Sequence, residues 1–417
     1  MTGGQRVFIG LVSGAAVGLG LARWAPELVG VVEAVAMPVG TLWLHALQMT
    51  VVPFVISLII VGVTQAADVA AGGRIARRAL TWIILLASAS AAFTALVAPA
   101  LFAACPRSGD LVTAIQPGGT VAPPPPQAAG LERITALVPV NVVAAAAQGA
   151  IAPLVVFALC FAFALTRLPP SRREPVVALA HGVADAMVVI VDWVLLAGPV
   201  GVFALILPLA ARAGTAALGA LGVYVAVLIS VYLLITAAVY MVACLGGGES
   251  VRRFAAAVLP AQVVAASTQS SLASMPAMVK ATATLGYPPR VGGLVLPLAV
   301  SLFRITSPAQ YLTVASFIAW AHDTPLDAGA LALATVLAVV ISLGSVGLPG
   351  QASFMGTTLP VVQAAGMPIE SLGLLLAVDL IPDVFATVGN VTGDLAVASR
   401  VARAEDAPAA SGPAARR

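Results

Sequence analysis

The stretch Asp379–Asp394, DLIPDVFATVGNVTGD, decides how this chain is read, because it sets three acids inside an apolar run. Asp379, Asp383 and Asp394 recur at spacings of four and eleven, close to whole turns of a helix, so a helix here carries them along one face. Thr387 and Asn390 complete that face with a hydroxyl and an amide, each able to donate and accept. Pro382 is unusual in the middle of the face, where it would bend a continuous helix. A charge inside a membrane span costs at least about 2.5 kcal/mol, so such a face is expected to line a cavity and find partners there.

The rest of the chain supplies the membrane context. Of 417 residues, 60% are hydrophobic and 9% charged, against roughly 25% charged in soluble domains. Apolar runs long enough to cross a bilayer, about 20 residues each, begin near Val7, Val35, Leu80, Ile134, Val176, Leu218 and Val291. Nothing between them is large enough for a soluble domain. The run Val7 to Leu21 has the length of a signal peptide, but Val35 to Val63 follows at once, so it is read as a retained first helix.

Cations in short loops stay on the cytoplasmic side. With alternating spans this puts Arg74, Arg77 and Arg78, then Arg167, Arg172 and Arg173, then Arg252 and Arg253, and finally Arg400, Arg403, Arg416 and Arg417 inside. Arg23, Arg107, Arg133 and Arg212 remain outside, and both termini are expected in the cytoplasm. The net charge of +3 is thus a topology signal; no basic stripe with interleaved aromatics argues for nucleic acid as a partner. Cys105, Cys160 and Cys244 are widely separated, as are His45, His181 and His322, and neither set has metal-ligand spacing. Pro106 to Leu131, with Pro123 to Pro126, reads as a stiff loop outside lipid.

In the second half, polar and helix-breaking residues interrupt apolar runs at depth. Ser267-Thr268-Gln269-Ser270-Ser271 is one interruption and Gly344-Ser345-Val346-Gly347-Leu348-Pro349-Gly350-Gln351 another. Broken backbone at membrane depth is tolerated only where it is buried in protein or lines a cavity, and two re-entrant hairpins satisfy that. Each precedes a span with buried polar groups, Arg304-Ile305-Thr306-Ser307-Pro308 after the first and the aspartate face after the second. A hairpin-plus-helix unit used twice points to a central transport site.

The residue types suit a zwitterion. Asp383 would hold an ammonium group, while Asn390, Ser270, Ser271 and free backbone N–H groups at the hairpin tips would hold a carboxylate. Arg304, the one cation deep in this half, reads either as a structural partner of an aspartate or as part of the site; one arginine cannot neutralise three acids. No serine-histidine pairing, Gly-x-Ser-x-Gly, HExxH or phosphate-binding glycine loop is present, so an enzyme is not expected.

Several stretches resemble the dicarboxylate/amino acid:cation symporter family, which has the glutamate-transporter fold. They are Met49–Gly62 (MTVVPFVISLIIVG), Val138-Pro139-Val140-Asn141 with Val155-Val156-Phe157, Gly198–Ile206 (GPVGVFALI), Gly347-Leu348-Pro349-Gly350, and Asn390-Val391-Thr392-Gly393-Asp394 after the Asp379 and Asp383 pair. The resemblance implies an all-α polytopic protein with eight transmembrane helices and two re-entrant helical hairpins, a homotrimer in the bacterial inner membrane. It implies scaffold helices 1–2 in 1–70, helix 3 of a mobile transport domain in 71–105, an external loop in 106–134 and scaffold helices 4–5 in 135–212. The transport domain would resume over 213–404, with hairpin 1 at about 252–283 and hairpin 2 at about 326–367, before a cytoplasmic tail in 405–417. Such a protein is an elevator-type secondary transporter.

By the same resemblance, Asp383 holds the substrate's α-amino group and Asn390 its α-carboxylate, with Ser270, Ser271, Arg304, Ser307, Gly347, Leu348, Gly350, Ala386 and Thr387 completing the site. Ala386 stands where carriers of acidic amino acids have an arginine, so a neutral amino acid is expected. The family's Asn-Met-Asp-Gly-Thr, which coordinates sodium, is replaced by Phe303-Arg304-Ile305-Thr306-Ser307, and only Asn390 and Asp394 survive as a residual cation site. No cofactor is expected, and sodium or proton coupling stays open. Arg304 is expected to act as a tethered cation facing Asp394 or the substrate; unit charges about 4 Å apart attract by roughly 4 kcal/mol at an effective dielectric near 20. A C4-dicarboxylate carrier and a channel-like relative of the same fold are the alternatives.

Overall fold

A backbone in lipid must satisfy its own hydrogen bonds, and the computed structural model is helical throughout its regular elements. It describes residues 3–106, 135, 137–244, 249–344, 350–369 and 371–406. The helices run α1 (Gly3–Trp24), a 3-10 turn (Pro26–Leu28), α2 (Val29–Gln48), α3 (Val51–Ala71), α4 (Arg74–Ala103), α5 (Val142–Ala147), α6 (Ile151–Leu165), α7 (Pro170–Leu196) and α8 (Gly198–Ala213). They continue as α9 (Thr215–Cys244), α10 (Val251–Thr268), α11 (Ser271–Leu285), α12 (Pro289–Leu302), α13 (Thr306–Ala321), α14 (Ala328–Gly344), α15 (Gly350–Ala364), α16 (Leu372–Val378) and α17 (Leu380–Asp406).

Six stretches among the described residues are long and apolar enough to cross a membrane, seven if α16 and α17, bent by 71° at Asp379, count as one. This is fewer than the eight expected. The shortfall lies in 135–213, where α6 has 15 residues and α8 has 16, both too short to count. The proline-rich loop beyond Pro106, the tip residues Gly347 and Leu348, and the tail beyond Asp406 lie outside the described residues.

Packing separates two groups of helices. α1 lies along α8 with Gly10, Gly14 and Gly18 on the contact, and a Cβ at Gly10 would fall 2.3 Å from the Pro199 carbonyl oxygen. Small residues every fourth position let membrane helices touch backbone to backbone. α2 joins α8, and α3 packs on α6 and α7. The other group gathers around α17, which touches α9, α10, α11 and α12, while α13 packs on α4. α10 packs against α11, and α14 against α15.

The seam between the groups runs where α14 and α15 meet α3. There a Cβ on Gly344 would lie 2.3 Å from the Leu58 carbonyl oxygen, and one on Gly62 would lie 2.7 Å from the Gly344 Cα. By contrast, Leu259, Val263 and Leu272 on α10 and α11 are exposed. At the far end of α17, Glu405 is nearly buried and receives Arg74 at 3.1 Å, Arg78 at 2.7 Å and Arg290 at 3.6 Å, tying the starts of α4 and α12 to it.

Candidate functional site

The helical path is broken next to the aspartate face. Between α12 and α13, Phe303 is extended at φ −124° and ψ 123°, and Arg304 and Ile305 follow before the helix resumes at Thr306. Phe303 and Ile305 are buried, and Arg304 is half-buried. The freed Ile305 carbonyl accepts from Ser90 Oγ at 2.6 Å. The new helix start is capped from α17: Asn390 Oδ1 accepts from Thr306 N at 3.1 Å and Thr306 Oγ1 at 2.9 Å. Gly389 permits this approach, since a Cβ there would lie 2.8 Å from Thr306 Cγ2.

The acids stand in three different settings. Asp379 occupies the bend between α16 and α17, is buried, and accepts from Gln310 Nε2 at 2.7 Å. Asp383 lies in the first turn of α17, half-buried, and its carboxylate makes no hydrogen bond among the described residues. Asp394 is fully buried, and neither of its oxygens accepts a hydrogen bond among the described residues. The positive charge of Arg304 lies near enough to act on all three. Pro382 sits in the opening turn of α17, where a helix needs no N–H donor, so it starts the helix instead of kinking it.

A similar break closes α10. Gln269 adopts φ 52° and its Nε2 donates to the Leu380 carbonyl at 3.0 Å, joining the α10–α11 tip to the start of α17. Ser270 is the N-cap of α11, accepting from Ala273 N at 3.2 Å, and Ser271 opens the helix.

A profile of the sodium:dicarboxylate symporter family matches residues 4–404. The chain belongs to that family. It is 27% identical over 362 residues to a "Proton/glutamate-aspartate symporter" of Escherichia coli (strain K12), covering 86% of this chain and 82% of that one. A "Proton/sodium-glutamate symport protein" of Bacillus subtilis (strain 168) is 26% identical, covering 93% and 89%. A "C4-dicarboxylate transport protein 2" of Pseudomonas paraeruginosa is 25% identical, covering 94% and 88%. Proteins of the sodium:dicarboxylate symporter family are secondary transporters, not enzymes, and this one has the apolar helices of a membrane protein.

For a symporter of this family, the structure gathers Arg304, Ser307, Asp383, Ala386, Thr387 and Asn390 at one junction, with Asp394 deeper along α17. Some of their donors are already committed. Thr387 Oγ1 donates to the Asp383 carbonyl at 2.9 Å, so its hydroxyl can only accept from a ligand. The Asn390 oxygen is held by Thr306, which leaves its amide nitrogen for an acceptor. Thr306, Gln310, Gln269 and Ser90 join the site through tertiary contacts; Gln269 and Thr306 lie within the polar stretches quoted above and Gln310 just beyond, whereas Ser90 on α4 carried no sequence sign.

Proposed function

We propose that this protein carries a neutral amino acid across the bacterial inner membrane without coupling to sodium. The observation that carries the reading is the break at Phe303–Ile305, which sets a guanidinium, two apolar side chains and a capped helix start against the aspartate face. Sodium needs a shell of oxygens. Here the side chains at 303 and 305 offer none, and the Ile305 carbonyl already accepts from Ser90. Asp383 is the acceptor for an ammonium group, and the Asn390 amide nitrogen faces the carboxylate. Ala386 gives nothing to a second carboxylate, unlike what relatives named for glutamate, aspartate or C4-dicarboxylates would need.

Purified protein in liposomes is expected to exchange labelled serine equally well when sodium is replaced by choline. Strict dependence on sodium would overturn the reading. A second reading, a C4-dicarboxylate carrier, is favoured by one feature, the positive charge of Arg304 acting at Asp383, which a substrate carboxylate would share. Ranking serine, aspartate and succinate by competition separates the two.

The transport cycle belongs to the same proposal. It has eight spans and two re-entrant hairpins, α10–α11 from the cytoplasm and α14–α15 from outside, in a homotrimer with both termini cytoplasmic. α1–α3 and α5–α8 are the fixed scaffold; α4 and α9–α17 move. The packing of α14 and α15 on α3, with α10 and α11 outwardly exposed, supports an inward-facing arrangement. Gly344→Val drives a side chain into the Leu58 carbonyl, and overpacking of that kind costs about 1–3 kcal/mol. Counter-flow should slow by about 5- to 150-fold while serine binding persists; unchanged counter-flow would remove the seam from the cycle.

A further inference from the structure

We infer that a cavity between α2, α8, α9, α13 and α16 is a second binding site, for a free amino acid with an apolar side chain. The cavity holds about 260 Å³ and is lined by neither Asp383 nor Asn390. Most of its lining is apolar, including Leu205 and Phe317, with Thr41, His45, Gln48 and Ser371 as polar members. Its rim carries Glu33 from α2 and Arg212 from the last turn of α8.

These two rim charges form an ion pair. Arg212 Nε donates to Glu33 Oε2 at 3.1 Å, and Arg212 Nη2 also reaches Glu33 Oε1. The pair is partly solvated, with side-chain exposures of 40% and 19%. Exchanging partners there costs little, because half-solvated pairs are weak. A zwitterion satisfies both ends when it inserts: ammonium on Glu33, carboxylate on Arg212. A plain amine or acid would engage one end only, leaving the other charge to solvent. With the charged groups of the ligand on one carbon and a mostly apolar lining beneath, the complement is an amino acid such as leucine or phenylalanine. Concave, mostly apolar sites with a few convergent polar groups at the junction of two helix groups are where small molecules bind.

The walls come from both helix groups, so an occupant bridges them. If the elevator reading holds, occupancy retards exchange; the binding itself does not depend on that reading.

The test uses the full-length protein in nanodiscs carrying Asp383→Asn, with L-leucine and L-phenylalanine titrated by calorimetry. Saturable binding is expected to persist in this background and to fall by about tenfold or more when Arg212→Gln or Glu33→Gln is added. Isovalerate and isopentylamine, each with one charge, should bind about tenfold more weakly than leucine. Absence of leucine binding in the Asp383→Asn protein, or binding indifferent to both rim substitutions, overturns the second site. Serine binding retained in Asp383→Asn counts against the central-site reading and leaves this one standing.

Discussion

Asp383→Asn is expected to weaken serine binding by at least about 30-fold, the low end of the 2–5 kcal/mol that losing one partner of a buried charge pair costs. The expectation rests on the setting of this carboxylate. It is half-buried in the first turn of α17 and has no hydrogen bond among the described residues, so its acceptor capacity is free for a ligand. The neighbouring acids are placed differently: Asp379 is held by Gln310, and Asp394 is fully enclosed. The substitution also removes a negative charge from a helix N-terminus, worth about 0.3–1 kcal/mol of folding stability. Calorimetry should therefore be paired with a thermal melt, and succinate supplies the control. A ligand with no ammonium gains nothing from Asp383, so its binding should hold or improve. Equal serine affinity in both proteins would remove the ammonium role.

Arg304→Gln is expected to destabilise the fold itself. Asp394 has no hydrogen-bond donor among the described residues, and Arg304 is the positive charge whose field acts on it. Asp394 is fully buried, so losing the nearby positive charge leaves its carboxylate uncompensated, which is costly even without a direct ion pair. Arg304→Gln should thus melt well below the parent protein, and Arg304→Gln with Asp394→Asn should recover most of the loss. A double variant as unstable as the single one would show that Arg304 supports the fold through other groups. Arg304→Met is expected to restore no sodium-driven uptake, since Phe303 and Ile305 stay buried beside it without an oxygen to offer.

How much of this was legible in the residues depends on whether the cause was local. The aspartate ladder and the break before Thr306 stood out because polar groups inside an apolar run have few explanations. The bend at Asp379 did not, since Asp379 to Asp394 read as one helical face, and Pro382 looked like a kink within it. The structure gives Pro382 a simpler place, within the opening turn of a new helix, where its missing donor is not needed. Pairings such as Thr306 with Asn390, Gln310 with Asp379 and Gln269 with Leu380 join residues 69 to 111 positions apart, and no periodicity carries that information. Ser270 was read as a ligand group and is found capping α11, the role serine most often takes before a helix. Its hydroxyl oxygen is thereby occupied, and the hydroxyl proton remains for an acceptor.

The gathering of Arg74, Arg78 and Arg290 on Glu405 has a practical corollary. One carboxylate is the common anchor for three guanidinium groups, two from one turn of α4 and one from α12. A protein cut short at Ala404 would leave those cations repelling one another across two helix starts, whereas an affinity tag appended beyond Asp406 leaves the anchor in place. Trimming that reaches back past Glu405 should therefore be felt far more than fusion of a whole reporter beyond Asp406.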